Sequence, residues 1–549
     1  MTTATSVFAA STRFNPEELA IFGRHGQSGL DVRKWRDATH RGGYIAFMRI
    51  DTETCYRALA ARDARFDGLF FVGVTTTGIY CRPICSARTP GRDRCRFFAS
   101  AAAAEHAGFR PCLRCRPELA PGHAPVDALG RTARLAAARI EAGALNDDGS
   151  LETLARDLGL SSRQLRRAIR REFGVSPVEL AQTRRLLLAK QLLTETNLSM
   201  IEVALASGFA SVRRFNALFR SHYSMTPSRI RRTAGVTSAR DSLTLTLAYR
   251  PPLAWKPILQ FLAGRATMGV ESVLDAQYLR TVRIGETRGW VRVEPSARRN
   301  ALSVEISTSL AAVLPTLLPR LRCLFDLDAR PDVIAAHLSA DPRLARAASQ
   351  LPGLRVPGSV DGFEIAVRAI LGQRISVPGA TTLAGRLAAA CGEPIETPFP
   401  MLNRLSPRPE RLAEAEAGEL VTLGIAAPRA RAIGELARAV VDRRIDLVPG
   451  ADPDLTIERL LELPGIGDWT AHYVAMRALR WPDAFPAADL GLLKATGLKS
   501  PRELSRLAEP WRPWRSYAAL YLWNDPCPFP EPSIHGQDRV LSPVLQPAR

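Results

Sequence analysis

Leu463-Pro464-Gly465-Ile466-Gly467-Asp468-Trp469-Thr470-Ala471 lies between two stretches with helical periodicity, residues 456–462 and 468–479. Two glycines and a proline in five residues predict a tight hairpin that closes one helix and opens the next. Such a turn points several backbone N–H groups outward at a helix N-terminus, where a phosphate is well received. This helix-hairpin-helix grammar favours DNA binding without sequence readout; the plainer alternative is a structural turn.

Further on stands Phe485-Pro486-Ala487-Ala488-Asp489-Leu490-Gly491. By itself Asp489 reads as a helix N-cap. With the hairpin, Gly372-Gln373, Trp469, Tyr473 and Trp511-Arg512-Pro513-Trp514-Arg515-Ser516-Tyr517, residues 243–525 resemble the AlkA family of DNA-3-methyladenine glycosylases II. The resemblance implies that Asp489 is the catalytic carboxylate and that Trp469, Tyr473 and Trp523 line the base pocket. It also implies DNA contacts by Gln373, Arg374, Gly465, Gly467 and Thr470. Lyase relatives carry a lysine two residues after the last hairpin glycine; Trp469 stands there, so the expected enzyme removes a base without cutting the strand. Two departures are plain. Arg374 replaces the family's apolar wedge, and Ala488 replaces a second acid before the catalytic Asp.

The N-terminal third carries two close cysteine pairs, Cys81-x3-Cys85 and Cys112-x2-Cys115. Short spacing lets each pair grip one edge of a tetrahedral ion, so a single Zn2+ held by Cys81, Cys85, Cys112 and Cys115 is expected. Cys95 lies between the pairs and is expected to be a loop or core thiol. Arg82, Arg88, Arg110, Arg114 and Arg116 crowd the site; positive neighbours balance a zinc–tetrathiolate and attract a phosphate backbone. Given Tyr80-Cys81-Arg82-Pro83 and Gly108-Phe109-Arg110-Pro111-Cys112-Leu113-Arg114-Cys115, residues 50–118 resemble the Ada zinc module. The resemblance implies that Cys81 is also a nucleophile, taking a methyl group from a methylphosphotriester in DNA.

The middle of the chain repeats one pattern. Residues 151–159 form a short helix ending in Gly159, followed by Ser161-x-x-Gln164 and a basic helix to Phe173; Ile201-Glu202-Val203-Ala204, Gly208 and Ser211 with a helix to Phe219 repeat it. Helix, glycine turn and serine-capped helix is helix-turn-helix grammar, and Ala155 and Ala204 suit close crossings. Closed by Ser176-Pro177 and Thr226-Pro227, residues 130–232 resemble the AraC-type DNA-binding domain. That resemblance puts Arg163, Arg166 and Arg167, then Arg213 and Arg214 beside Val212, toward the major groove, to read guanine or grip phosphate.

The 549 residues carry 74 Lys plus Arg against 54 Asp plus Glu, a net charge of +20 that favours a polyanionic partner. No apolar run approaches a membrane span, residues 1–48 lack a signal-peptide core, and the cysteine pattern suits a reducing compartment. The expected fold is multidomain. Residues 1–47 form a disordered extension, with Met48 an alternative start; 48–120 an α+β zinc domain; and 126–234 an all-α tandem helix-turn-helix domain. Residues 242–320 form an α+β subdomain, 321–530 an all-α helix-hairpin-helix glycosylase domain, and 531–549 a tail. The expected partners are double-stranded DNA and RNA polymerase, with a monomeric protein at the cytoplasmic nucleoid. Two rival readings remain: a regulator whose C-terminal half only binds DNA, and a glycosylase whose front half only tethers it, with Cys81 merely a ligand.

Overall fold

The computed structural model describes residues 50–123, 131–146, 149–232, 241–449 and 451–524. The expected extension 1–47, the alternative start and the tail 531–549 lie outside these residues.

The first module is a four-stranded sheet in the order β3-β1-β2-β4. Strand β1 (Phe71–Val74) pairs antiparallel with β2 (Ile79–Cys81) and β3 (Cys95–Phe98), and β4 (Arg110–Pro111) runs parallel to β2. Gly73 is required here, because a Cβ would lie 2.8–2.9 Å from the Phe98 and Phe109 rings. Cys81 ends β2 and Cys112 follows β4, with the Cys112 N–H donating to the Tyr80 carbonyl at 3.0 Å. The strand pairing therefore brings the two cysteine pairs together.

Both helix-turn-helix copies form: Leu151–Asp157 with Ser162–Phe173, and Met200–Ala206 with Val212–Tyr223. Ser161 and Gln164 make the expected capping box, and Ala155 and Ala204 are fully buried at the crossings. A 19-residue helix, Pro177–Glu195, joins the copies. The zinc-module helix Ala101–His106 packs against it, and the Lys190 ammonium donates to the Cys112 carbonyl at 3.2 Å.

The C-terminal half opens with an antiparallel sheet in the order β5-β9-β8-β7-β6. Its strands are β5 (Ser242–Ala248), β6 (Glu271–Leu274), β7 (Gln277–Ile284), β8 (Thr287–Pro295) and β9 (Ala301–Ser307). Helices dominate from Leu314 onward, and the hairpin helices are Pro453–Leu461 and Asp468–Arg477.

The cores do not follow the sequence divisions. The first helix-turn-helix copy has its own apolar cluster, including Leu165, Ile169 and Phe173, into which Ala102 of the zinc module inserts. The second copy shares one cluster with the five-stranded sheet: Phe215, Phe219 and Ile230 belong to the same core as Leu245, Val291 and Leu317. The change in sequence character between 234 and 242 therefore marks no separate core. A fully buried guanidinium, Arg250, seals the junction: it donates to the carbonyls of Asp67 (2.9 Å) and Gly122 (2.6 Å) in the first module and of Asp328 (2.6 Å) beyond the sheet.

Candidate reaction centres and nucleic-acid interface

The hairpin delivers an open helix end. Gly465 sits at φ +84°, where an L side chain is strained. Gly467 caps Asp468–Arg477 in an extended conformation with no side-chain cap, and a Cβ there would meet nothing within 4 Å. Gly467 and Asp468 are exposed, and no side chain caps the first turn. The Thr470 hydroxyl is not part of that surface, contrary to its expected DNA contact: it is 2% exposed and accepts from Gln373 Nε2 at 2.9 Å. The same amide donates to the Gly465 carbonyl at 2.9 Å, so the Gln373 side chain is committed to the hairpin. Arg374 beside it is exposed, at φ +55°.

Asp489 caps the helix Leu490–Thr496, its Oδ1 accepting from the Leu492 N–H at 3.0 Å. That oxygen also accepts from Trp523 Nε1 (3.0 Å), and Oδ2 accepts from Trp469 Nε1 (2.8 Å). Three N–H donors thus fix a partly exposed carboxylate. Gly491 leaves room for the carboxylate: a Cβ there would lie 3.0 Å from Asp489 Oδ1. The Trp469 and Tyr473 rings stack, 5.2 Å apart at 14°. Tyr473 is buried in the helical core, so the two indoles are the open members of the expected pocket.

Behind Tyr473 stand groups that no sequence motif announced. Arg477 Nη1 donates to the Tyr473 hydroxyl at 2.8 Å, and its guanidinium lies 4.8 Å over the Phe261 ring. Burial disfavours ionisation of the Tyr473 phenol, but Arg477, Arg265 and Arg368 together outweigh it and hold its pKa below the usual value. Arg477 was within reach of the sequence, four residues after Tyr473 on one helix face. Phe261 arrives from the α+β subdomain and left no local signal. The Trp511–Tyr517 segment is bracing: Trp511, Trp514 and Tyr517 are buried, and Arg515 Nε donates to Asp483 at 2.8 Å.

In the first module the sulfurs of Cys81, Cys85, Cys112 and Cys115 all lie within 4.8 Å of one another. A tetrahedral zinc with Zn–S bonds of about 2.3 Å needs sulfurs roughly 3.8 Å apart, so four soft donors in this space fit one Zn2+. The Arg82 N–H donates to Cys115 Sγ at 3.3 Å, an outer contact that orients the ligand. Cys95 stands apart as a core thiol: its Sγ donates to the Gly91 carbonyl, and burial pushes its pKa up to about 11. The expected basic rim needs correction. Arg82 is buried and ion-paired with Asp67, and Arg116 is held by Glu118 and Glu195. Arg88 and Arg114 are exposed and Arg110 is half-buried.

Arg163, Arg166 and Arg167 project from the solvent face of Ser162–Phe173, opposite buried Leu165 and Ile169; Arg166 lies 3.8 Å from Glu152. Arg213 and Arg214 are exposed in the first turn of Val212–Tyr223.

A carboxylate fixed beside two indoles, next to an open hairpin, defines a helix-hairpin-helix DNA glycosylase, here joined to a four-cysteine metal module and tandem helix-turn-helix units. Four family models match: the metal-binding domain of Ada (residues 54–118), a helix-turn-helix domain (154–233), the AlkA N-terminal domain (244–361) and the HhH-GPD superfamily of base excision DNA repair proteins (367–499). Over 490 residues the chain is 40% identical to a probable bifunctional transcriptional activator/DNA repair enzyme AlkA of Mycobacterium tuberculosis, covering 87% of this chain and 97% of that one. It is 38% identical over 278 residues to DNA-3-methyladenine glycosylase 2 of Escherichia coli, covering 51% of this chain and 96% of the relative. It is 37% identical over 123 residues to the bifunctional transcriptional activator/DNA repair enzyme Ada of Escherichia coli, covering 22% of this chain and 33% of the relative. The chain belongs to the family of bifunctional transcriptional activator/DNA repair enzymes of the AlkA type.

Proposed function

We propose that the C-terminal half hydrolyses the N-glycosidic bond of alkylated bases, 3-methyladenine among them, with Asp489 as the catalytic carboxylate. The observation that carries this is the grip of three N–H donors on Asp489, two of them from Trp469 and Trp523. A base methylated at N3 or N7 is cationic and a good leaving group. As the C1′–N bond breaks, Asp489 stabilises the positive charge growing at C1′ and guides the water that replaces the base. The base must first leave the stack, and the π faces of the indoles attract a cationic ring. Gly465, Gly467 and the open first turn grip the backbone, while Thr470 and Gln373 hold the hairpin in shape. With Trp469 where a lyase lysine would stand, the product is an abasic site in an uncut strand.

In the same reading the N-terminal module takes a methyl group from a methylphosphotriester. Zinc, when bound, keeps the four sulfurs as thiolates at neutral pH. Cys81 Sγ attacks the methyl carbon, an S–C bond forms, the C–O bond breaks and the phosphodiester leaves as an anion. The sulfur becomes a thioether, one negative charge facing DNA is lost, and affinity for DNA rises. The exposed arginines of the two helix-turn-helix copies hold promoter DNA, and RNA polymerase is the partner of the activator. The protein works as a monomer at the cytoplasmic nucleoid.

Release of free 3-methyladenine from methylated duplex tests the first assignment. Repeated turnover by the intact protein, abolished in Asp489→Asn, is expected; no release from the intact protein would reduce the chain to a DNA-binding regulator. Peptide mass after exposure to methylated DNA tests the second: one added methyl on Cys81 is expected, and its absence would leave Cys81 a ligand only.

A further inference from the structure

Trp469, Tyr473 and Arg477 follow one another at four-residue steps along the helix Asp468–Arg477, so they share one face, each step rising about 6 Å. That face ends in opposite charges. At its start Trp469 Nε1 donates to Asp489 Oδ2 at 2.8 Å; in its middle the Trp469 and Tyr473 rings stack, 5.2 Å apart; at its end Arg477 Nη1 donates to the Tyr473 hydroxyl at 2.8 Å. Arg477 is 3% exposed, yet its other bonded partners are only the carbonyls of Pro357 and Gly358. Two further buried guanidiniums of this half are neutralised, Arg280 by Glu271 and Glu364, and Arg515 by Asp483. Arg477 makes no ion pair among the described residues, and neither do Arg265 and Arg368, the other two cations that act on Tyr473. Arg265 lies 3.8 Å over the Phe261 ring and Arg477 4.8 Å over the same ring, while Arg368 donates to the Thr381 hydroxyl at 2.7 Å. A buried cation without a counter-ion is costly. Leaving one bonded to a pocket that receives a cationic base calls for a reason.

We propose that Arg477 is a positioning residue for bond breakage: it holds Tyr473, and its unneutralised charge drives positive charge off the bound base toward Asp489. This rests on the glycosylase reading above and deepens it. In a 3-methyladenine nucleotide the base carries the charge. The C1′–N bond breaks with its electron pair going to the base, so the base leaves neutral and the charge passes to C1′. Water adds there and loses a proton. A cation at the tyrosine end of the stack repels the charged base before this shift and repels C1′ less after it, while Asp489 at the other end attracts the charge that arrives. Arg477 therefore weakens binding of the charged base and speeds its departure. The indoles and Asp489 alone would hold that cation more tightly, and tight binding of the ground state slows the step that follows.

The probes are 3,9-dimethyladeninium, a permanent cation with a methyl group in place of the sugar, and neutral 9-methyladenine. Each competes with release of 3-methyladenine from methylated duplex. The wild type is expected to be inhibited by the two within about threefold of each other. Arg477→Met keeps an apolar stem and removes the charge: the cation should then inhibit about tenfold better and the neutral compound no better, while single-turnover release slows about fivefold. Arg477→Lys keeps the charge and should keep the wild-type pattern. A merely structural arginine would change inhibition by both compounds alike. That result, slower release without tighter binding of the cation, or a wild type that prefers the cation by about tenfold, overturns the proposal. Melting curves establish that the variants are folded, and the wild-type pair of inhibitors decides the matter if Arg477→Met is not. The two readings fail separately. No release of 3-methyladenine by the wild type defeats the glycosylase assignment, whereas release without the charge-dependent split defeats only the role of Arg477.

Discussion

The two proposed reacting groups are built in opposite ways. Cys81 is 8% exposed at the end of a strand, and its three partner sulfurs come from the same small module. Asp489 is partly exposed at a helix start, and two of its three donors come from helices 20 and 34 residues away in sequence. The sulfur centre is local and closed; the carboxylate centre is assembled from distant pieces and open to solvent. A group that reacts once needs only to be held as a thiolate. A group that turns over must also admit and release a base.

The largest effect should separate the two centres outright. Asp489→Asn keeps an oxygen to cap the helix, so the fold should survive, while base release falls about 10³-fold, roughly 4 kcal/mol of transition-state stabilisation. Methyl uptake by Cys81 should be untouched, and Cys81→Ser should show the converse in the same two assays. Loss of both activities in either variant would break the comparison. Next, Asp67→Asn leaves the buried Arg82 guanidinium without its counter-ion, beside the cysteine cluster. Removing one partner of a buried pair costs about 3–5 kcal/mol, so denaturant unfolding of the zinc-loaded protein should show a loss of that order. A loss below about 1 kcal/mol would mean that Arg82 does not brace the sulfur centre.

Smaller effects sharpen the carboxylate side. Trp523→Phe keeps a ring and removes the N–H bonded to Asp489, and about a tenfold slower release is expected in single-turnover kinetics. An unchanged rate would assign the indole to stacking alone. The smallest effect concerns His472 on the hairpin helix. Burial lowers its pKa below the ordinary 6.5, Arg515 adds to this, and Asp468, Asp483 and Asp454 oppose it. The unfolded chain therefore binds the proton more readily, and stability is lost as pH falls through about 6.5. Urea unfolding between pH 8 and 5.5 should show a decline of less than about 1 kcal/mol per pH unit, and His472→Gln should remove that share.

Patterns fixed by neighbouring residues were legible in the sequence. The hairpin glycines, the Ser161–Gln164 box, the four cysteines and the α+β character of 242–320 all appear, because local spacing and pattern determine them. Strand β6 escaped notice: at four residues with intermediate burial it has no alternation to detect. The helix Pro177–Glu195 was also missed, since it buries Thr183, Lys190 and Gln191 along with its leucines and shows no single apolar face. Contacts between distant residues were out of reach. Thr470 was expected at the DNA surface from its place in the motif, but its hydroxyl meets Gln373 across 97 residues. Arg82 and Arg116 looked like a basic rim for the same reason, their acidic partners being invisible until the chain folds.

The apolar cluster that joins the second helix-turn-helix copy to the five-stranded sheet bears on ancestry. Genes placed end to end begin as lodgers, each able to leave with its fold intact. Here Phe219 and Leu245 lie in one interior, and Arg250 is buried against carbonyls from both sides of the join. Cutting the chain near residue 240 would wet that interior and strand that cation. The two halves therefore share one interior, and separating them would cost stability on both sides of the join.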